Sequence, residues 1–217
     1  MQNTPTVSTN KIIVFIVFIC AAIMTSLFVF HWRKSPAQPV LPPEIGMAFT
    51  VPRDIKSFTL VSTNNRSFSQ KNFYGHWTLL FFGFTHCSSI CPTTLDIMNH
   101  AYNKLLNRHL NLQVVLVSID PERDTLESLA KYTQSYNPNF IGVTGKIQEL
   151  RKLQSQLGIF SGRDTTATNE NYQIQHTSSI MLINPQGKWV GLFNYGLKPD
   201  QLAKAIGDSI NLSRLLK

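Results

Sequence analysis

WTLLFFGFTHCSSICP, residues Trp77 to Pro92, runs from an apolar segment through two cysteines into a proline. Thr78 to Phe84 is a short continuous apolar run, which predicts a buried central strand and is too short for a free-standing helix. Cys87 and Cys91 follow, three residues between them. Pro92 suits the first position of a helix, because its missing N–H would have had no partner there. Two thiols therefore sit where a strand gives way to a helix. A helix N-terminus stabilises negative charge, so Cys91 is expected to have a depressed pKa, with Cys87 close enough to share the effect.

The spacing sets a condition on what the pair can do. Inside one regular helix, Cβ atoms at i and i+4 lie about 5–6 Å apart, against about 3.8 Å in a disulfide. A disulfide thus requires Cys87 on the loop, whereas two thiolates around one metal ion tolerate the wider separation. The same pair can close as a disulfide or open as a metal clamp.

With 217 residues, 43% of them hydrophobic, the chain can bury one full core and carry an extension. The extension is Ile12 to Phe30, uncharged over 19 residues, about what crosses a ~30 Å hydrocarbon layer at ~1.5 Å per residue. A transmembrane helix is predicted. A cleaved signal peptide has a shorter apolar region, about 7–15 residues, and a small-x-small cleavage site, which Leu27 to Trp32 does not offer. Cys20 lies mid-run behind Ile19 and reads as a lipid-facing or packing cysteine rather than a lipidated one. Lys11 and the amino terminus flank one end of the span, Arg33 and Lys34 the other, so the positive-inside rule is nearly balanced. A paired-thiol site suits a compartment where disulfides form, which favours the domain outside the cytoplasm.

The expected organisation is an arm over 1–11, the span over 12–30, a tether over 31–49 and a domain over 50–217. Four prolines between Ser35 and Pro43 make the tether semi-rigid and extended. Only Lys11, Arg33 and Lys34 are charged in the first 34 residues. The rest of the chain therefore carries 17 of the 20 Lys and Arg and all 12 Asp and Glu, a net +5. That favours an acidic partner or an anionic membrane surface. No Lys/Arg cluster with interleaved aromatics occurs, which argues against nucleic acid.

Along the domain, Phe58–Ser62 and Ser67–Ser69 read as a hairpin, and Leu95, Met98, Tyr102, Leu105 and Leu106 recur at helical spacing to about His109. Leu112–Ile119 is a second buried strand, parallel to the first because a helix crosses between them. It ends at Asp120, and ligands of open parallel sheets gather at such carboxyl ends. Asp120 has two roles open to it, satisfying a turn or holding a ligand residue from behind; Asp124 is expected to cap the helix Leu126–Tyr136. Phe140–Val143 and Lys146–Leu157 give a third strand and helix. Gly158–Gln175 is polar, weakly periodic and long for a connector, and it leads to His176. Ser178–Ile183 and Lys188–Phe193 form a hairpin about Asn184–Gly187, and Lys198–Leu215 is the last helix. This α/β order, with a two-cysteine motif at the first strand-to-helix junction, is the layout of a thioredoxin-like fold.

With Cys87-Ser-Ser-Ile-Cys91, Asp120-Pro-Glu-Arg-Asp-Thr125 and His176-Thr-Ser-Ser179 all in hand, the sequence resembles the Sco/SenC family from about Thr50 onward, and in its anchor. Those are membrane-anchored, thioredoxin-like proteins that deliver copper to the binuclear copper A centre of cytochrome c oxidase. The resemblance implies Cys87, Cys91 and His176 as metal ligands, copper as cargo, and subunit II of the oxidase or another copper-accepting protein as partner. It also implies a bacterial inner-membrane location with the soluble domain in the periplasm. Ser88 stands where the family often has proline. Two soft thiolates and one imidazole suit Cu(I), with Cu(II) as a second state, and leave zinc short of its usual fourth ligand.

Rival readings share the thiols. In a thiol–disulfide oxidoreductase that reduces a partner's copper-binding cysteines, Cys87 and Cys91 are the catalytic redox pair, and His176 is what separates this reading from copper delivery. A peroxidase based on Cys87 has no use for His176, and a plain stabilising disulfide explains neither the helix N-terminus nor His176. His76, His86, His100 and His109 carry no motif and read as solvated or structural.

Overall fold

The structure is a computed structural model that describes residues 9–33, 41–107, 110–164 and 172–216. It divides into two compact units, Met1–Pro39 and Val40–Lys217.

The first unit holds the helix α1, Thr9–Arg33, which takes up the whole of the apolar run. Its side chains are described for residue 13 and residues 15–28, all exposed. Among the described residues no helix is long and apolar enough to cross a membrane.

The second unit is built on an eight-stranded sheet. Its strands are β1 (Gly46–Asp54), β2 (Leu60–Ser62), β3 (Ser67–Phe68), β4 (Trp77–Gly83), β5 (Leu112–Ser118), β6 (Ile141–Thr144), β9 (Ile180–Ile183) and β10 (Lys188–Phe193). They lie side by side in the order β1-β10-β9-β4-β5-β6-β2-β3. A separate two-stranded sheet pairs β7 (Ser161–Arg163) with β8 (Ile174–His176). The helices of this unit are α2 (Ile90–Leu106), α3 (Leu126–Tyr136), α4 (Ile147–Gln156) and α5 (Pro199–Leu215).

β4 is central for the reason its sequence suggests, since all seven of its residues are buried. It runs parallel to β5 and antiparallel to β9. β5 runs parallel to β6, so β4, β5 and β6 are joined through the crossover helices α2 and α3. Helix α2 buries Leu95, Met98, Ala101, Tyr102 and Leu105, a stripe at helical spacing, and packs against α5 and β5. Between β9 and β10, Asn184 accepts at its side-chain oxygen from the N–H groups of Gln186 and Lys188. Gly187 turns the corner at φ +71°, a conformation that glycine adopts without steric cost.

Several boundaries differ from expectation. β1 starts at Gly46, so residues 46–49, counted above with the tether, belong to the sheet. Helix α2 starts two residues before Pro92, which still falls in the first turn, where no intrahelical acceptor is lost. The cap of α3 is Thr125 rather than Asp124: the Thr125 hydroxyl accepts from the N–H of Ser128 at 3.1 Å. Asp124 is withdrawn from that role because its carboxylate is buried and accepts from the backbone and hydroxyl of Thr85 and from the hydroxyl of Ser118. Of the connector Gly158–Gln175, residues 165–171 lie outside the described residues, as does His109.

Candidate metal centre

Cys87 and Cys91 follow β4 as the chain turns into α2. Ser89 is the residue before the helix, so Cys87 lies on the loop and Cys91 in the first turn. That meets the condition for a disulfide, although the cysteines are free thiols here. The N–H of Cys91, one of the unpaired donors of the helix start, points at the Cys87 sulfur at 3.4 Å. Cys91 is wholly buried and Cys87 half-buried. Gly83 leaves room for this packing, since a Cβ there would come within 3.0 Å of the Cys91 sulfur.

His176 comes in from β8, 85 residues beyond Cys91. Its Nε2 lies 3.6 Å from the Cys91 sulfur. Its Nδ1 lies 3.0 Å from the carbonyl oxygen of Thr177. A carbonyl only accepts, so Nδ1 carries a proton, and Nε2 is the ring nitrogen that faces the thiols. Phe81 and Phe84 meet the imidazole edge to face, with centroids at 6.0 and 6.1 Å, and fix its plane. Cys87 Sγ, Cys91 Sγ and one His176 ring nitrogen all lie within 4.8 Å of one another. Three donors at that separation can close on one ion with small side-chain movements.

The two thiols differ in acidity, and in the opposite sense to that expected from the helix N-terminus alone. The Cys91 thiol donates to Cys87 and lowers its pKa to about 4, with further help from His176 and the N–H groups of Cys91 and Ser89 and against the cost of burial. The same interaction raises the pKa of Cys91, and burial raises it further. The helix end therefore favours the sulfur that lies over it on the loop, not the sulfur within the first turn. A thiolate is the reactive form. Cys87 should thus be alkylated by iodoacetamide at a rate that falls only as pH drops toward about 4, while Cys91 stays unmodified. Followed by mass spectrometry on the metal-free protein, a midpoint near the ordinary thiol value of about 8.5 would contradict this assignment.

Asp120 is buried, and accepts from Arg123 Nε at 2.6 Å and from the hydroxyl of Tyr172 at 2.5 Å. His86, Asp120 and Asp124 also bring ligand-type atoms within 4.8 Å of one another. Those carboxylates are occupied by Thr85, Ser118, Arg123 and Tyr172, so the cluster is accounted for as structure. His86 turns to Thr85, with its Nδ1 3.0 Å from the Thr85 hydroxyl, and His100 pairs with Asp96 at 3.7 Å. Arg123 lies within the Asp120–Thr125 motif, whereas Tyr172, which donates to Asp120, and Arg163, stacked on the Tyr172 ring, carry no motif that sequence reading could have used.

The family model described as SCO1/SenC matches residues 50–211. A Stutzerimonas stutzeri protein whose given name puts it forward as copper-binding is 36% identical over 163 residues, 75% of this chain and 79% of that protein. The human mitochondrial protein SCO1 homolog is 29% identical over 151 residues, 69% of this chain. The chain spans about half the length of that relative, 50%. Among solved structures, Arabidopsis thaliana ScoI with copper bound superposes with a TM-score of 0.69 at 28% identity, covering 73% of this chain and 99% of that one. The domain is accordingly a mixed α/β fold of the thioredoxin-like Sco type, and the chain belongs to the SCO1/SenC family.

Proposed function

We propose that this chain is a membrane-anchored copper-delivery protein. In this reading Cys87, Cys91 and His176 bind copper and pass it to the copper A centre of cytochrome c oxidase, on subunit II or another copper-accepting protein. The observation that carries it is the approach of two sulfurs and one imidazole nitrogen to within 4.8 Å, from elements 85 residues apart in sequence. Soft thiolates with one imidazole favour Cu(I), and relatives of Arabidopsis and Bradyrhizobium have been solved with copper bound. Cys87, the more accessible sulfur and the one that is a thiolate, is where an acceptor's ligand can exchange for the protein's own.

Metal content and thiol titration of residues 35–217, purified under reducing conditions, test the reading. One copper per domain is expected, and copper should protect both thiols from modification. Failure to retain copper in the presence of a weak competing chelator would sink it.

A second reading is favoured by the same acidic Cys87: thiol–disulfide exchange that keeps an acceptor's copper-binding cysteines reduced. Exchange begins with a thiolate, and Cys87 supplies one over the helix end with Cys91 as the resolving thiol.

For location we propose that α1 spans the bacterial inner membrane once, with the short arm inside and the domain in the periplasm. The apolar run of 19 uncharged residues supports this, as does the need of paired thiols for an oxidising compartment. Protease added to intact spheroplasts should remove the domain and leave the arm; a protected domain would reverse the orientation.

A further inference from the structure

His176 belongs to β8, in the two-stranded sheet that lies apart from the eight-stranded one. The two cysteines hang from β4 and α2, so the relative position of the donors depends on what ties the β7–β8 hairpin to the rest of the domain. Tyr172, four residues before His176, is 3% exposed. Its hydroxyl donates to Asp120 Oδ1 at 2.5 Å. Asp120 Oδ2 accepts from Arg123 Nε at 2.6 Å. The guanidinium of Arg123 lies 3.5 Å from the centre of the Tyr172 ring, and that of Arg163 lies 3.5 Å from the same point. Two guanidinium groups that close to one centre cannot share a face, so the ring is sandwiched between them. Arg163 is on β7 and reaches Glu122 at 3.6 Å, whereas Asp120, Glu122 and Arg123 all follow β5. Two cations and two carboxylates thus surround one phenol and balance in charge.

We propose that Tyr172 is a positioning residue for the third metal ligand, bolting the hairpin that carries His176 to the carboxyl end of β5 through Asp120, Arg123 and Arg163. Each part has its own task. The hydrogen bond to Asp120 sets how deep the ring sits, and the stack fixes its tilt, since cations are held over the faces of an aromatic ring. The stretch 172–176 is short, with Ile174–His176 paired to Ser161–Arg163 and the Gln173 carbonyl accepting from the Asp164 N–H, so a change at Tyr172 is passed along the backbone to the imidazole. Sequence-distant Asp120 then acts on metal binding without touching the metal. The proposal rests on the copper reading for its effect on affinity, and on geometry alone for its effect on His176.

Tyr172→Phe keeps the ring and the stack and removes the hydrogen bond; Tyr172→Leu removes both. In the full-length protein in detergent, three quantities would be measured: Cu(I) affinity against a chromophoric chelator, the imidazole NMR signals of His176 without metal, and the rate of Cys87 exchange with a model disulfide. Breaking a hydrogen bond to a charged group is expected to lower copper affinity about ten-fold in Tyr172→Phe, and more in Tyr172→Leu. The His176 signals should broaden or split in the same order while exchange stays at the wild-type rate. Unchanged His176 signals in both variants would overturn the proposal, as would affinity and exchange falling together. Should wild type bind no copper, the copper reading fails by itself, and the His176 signals of the metal-free variants still decide the positioning role.

Discussion

His176→Ala should lose copper by two or more orders of magnitude while its thiol–disulfide exchange stays within about two-fold of wild type. Removing one ligand from a three-coordinate site takes away a bond that the protein cannot replace. His86 turns to Thr85 and Asp124, His100 pairs with Asp96 on the surface, and Asp120 is held by Arg123 and Tyr172. Exchange rests on different groups. The Cys87 thiolate is stabilised first by the Cys91 thiol, and His176 adds a smaller share. Access to Cys87 does not require the imidazole either, since the sulfur is half-exposed on its loop. Cys87→Ser is expected to abolish both activities, because the nucleophile and a ligand go together. Measured side by side, Cu(I) competition and reduction of a model peptide separate copper delivery from oxidoreduction. Wild-type copper affinity in His176→Ala would remove His176 from the site and bring the oxidoreductase reading forward.

Asp124→Ala should cost about 3–5 kcal/mol of stability, a large part of the roughly 5–15 kcal/mol that holds a domain together. Its side chain is fully buried. One carboxylate accepts from the Thr85 N–H at 3.1 Å, from the Thr85 hydroxyl at 2.5 Å and from the Ser118 hydroxyl at 2.6 Å. Alanine removes the acceptor of the fully buried Ser118 hydroxyl and of the Thr85 N–H, and leaves the Thr85 hydroxyl only His86. Asp124→Asn keeps an acceptor oxygen and should lose only about 1–2 kcal/mol. Because Thr85 opens the loop that carries Cys87, copper affinity should fall along with stability. Urea unfolding of the two variants checks the order; a loss under about 1 kcal/mol for Asp124→Ala would mean that the carboxylate is not the anchor of this loop.

Much of this architecture can be read from hydrophobic pattern. β4 and β5 are unbroken apolar runs, and α2 and α3 follow their stripes and caps to within a few residues. β1 escapes such reading because it is an edge strand with mostly exposed residues and Pro52 inside it, so it has neither a continuous run nor an alternation. β7 and β8 are three residues each and amid polar sequence, below the length at which a period is visible. Asp124 and Thr125 are both good caps, and only tertiary contacts with Thr85 and Ser118 decide between them. The ligand triad is legible through motifs, whereas the order of acidity within the cysteine pair depends first on the hydrogen bond between the two thiols, and then on burial and the helix-end N–H groups. Tyr172 is invisible for a simpler reason: its partner Asp120 is 52 residues away.

The separation between Cys87 and His176 has a thermodynamic reading of its own. An ion bound to both joins chain positions about 90 residues apart, and if it stays on the unfolded chain it acts as a removable crosslink. Loop-closure entropy for a ring of that size amounts to about 4–5 kcal/mol, against about 2 kcal/mol for the five-residue ring that a Cys87–Cys91 disulfide would close. Oxidised and metal-loaded protein, alike in having both thiols engaged, should therefore melt at different temperatures. A heating curve then reports which of the two states a preparation holds, since only the ion ties the unfolded chain across about two fifths of its length.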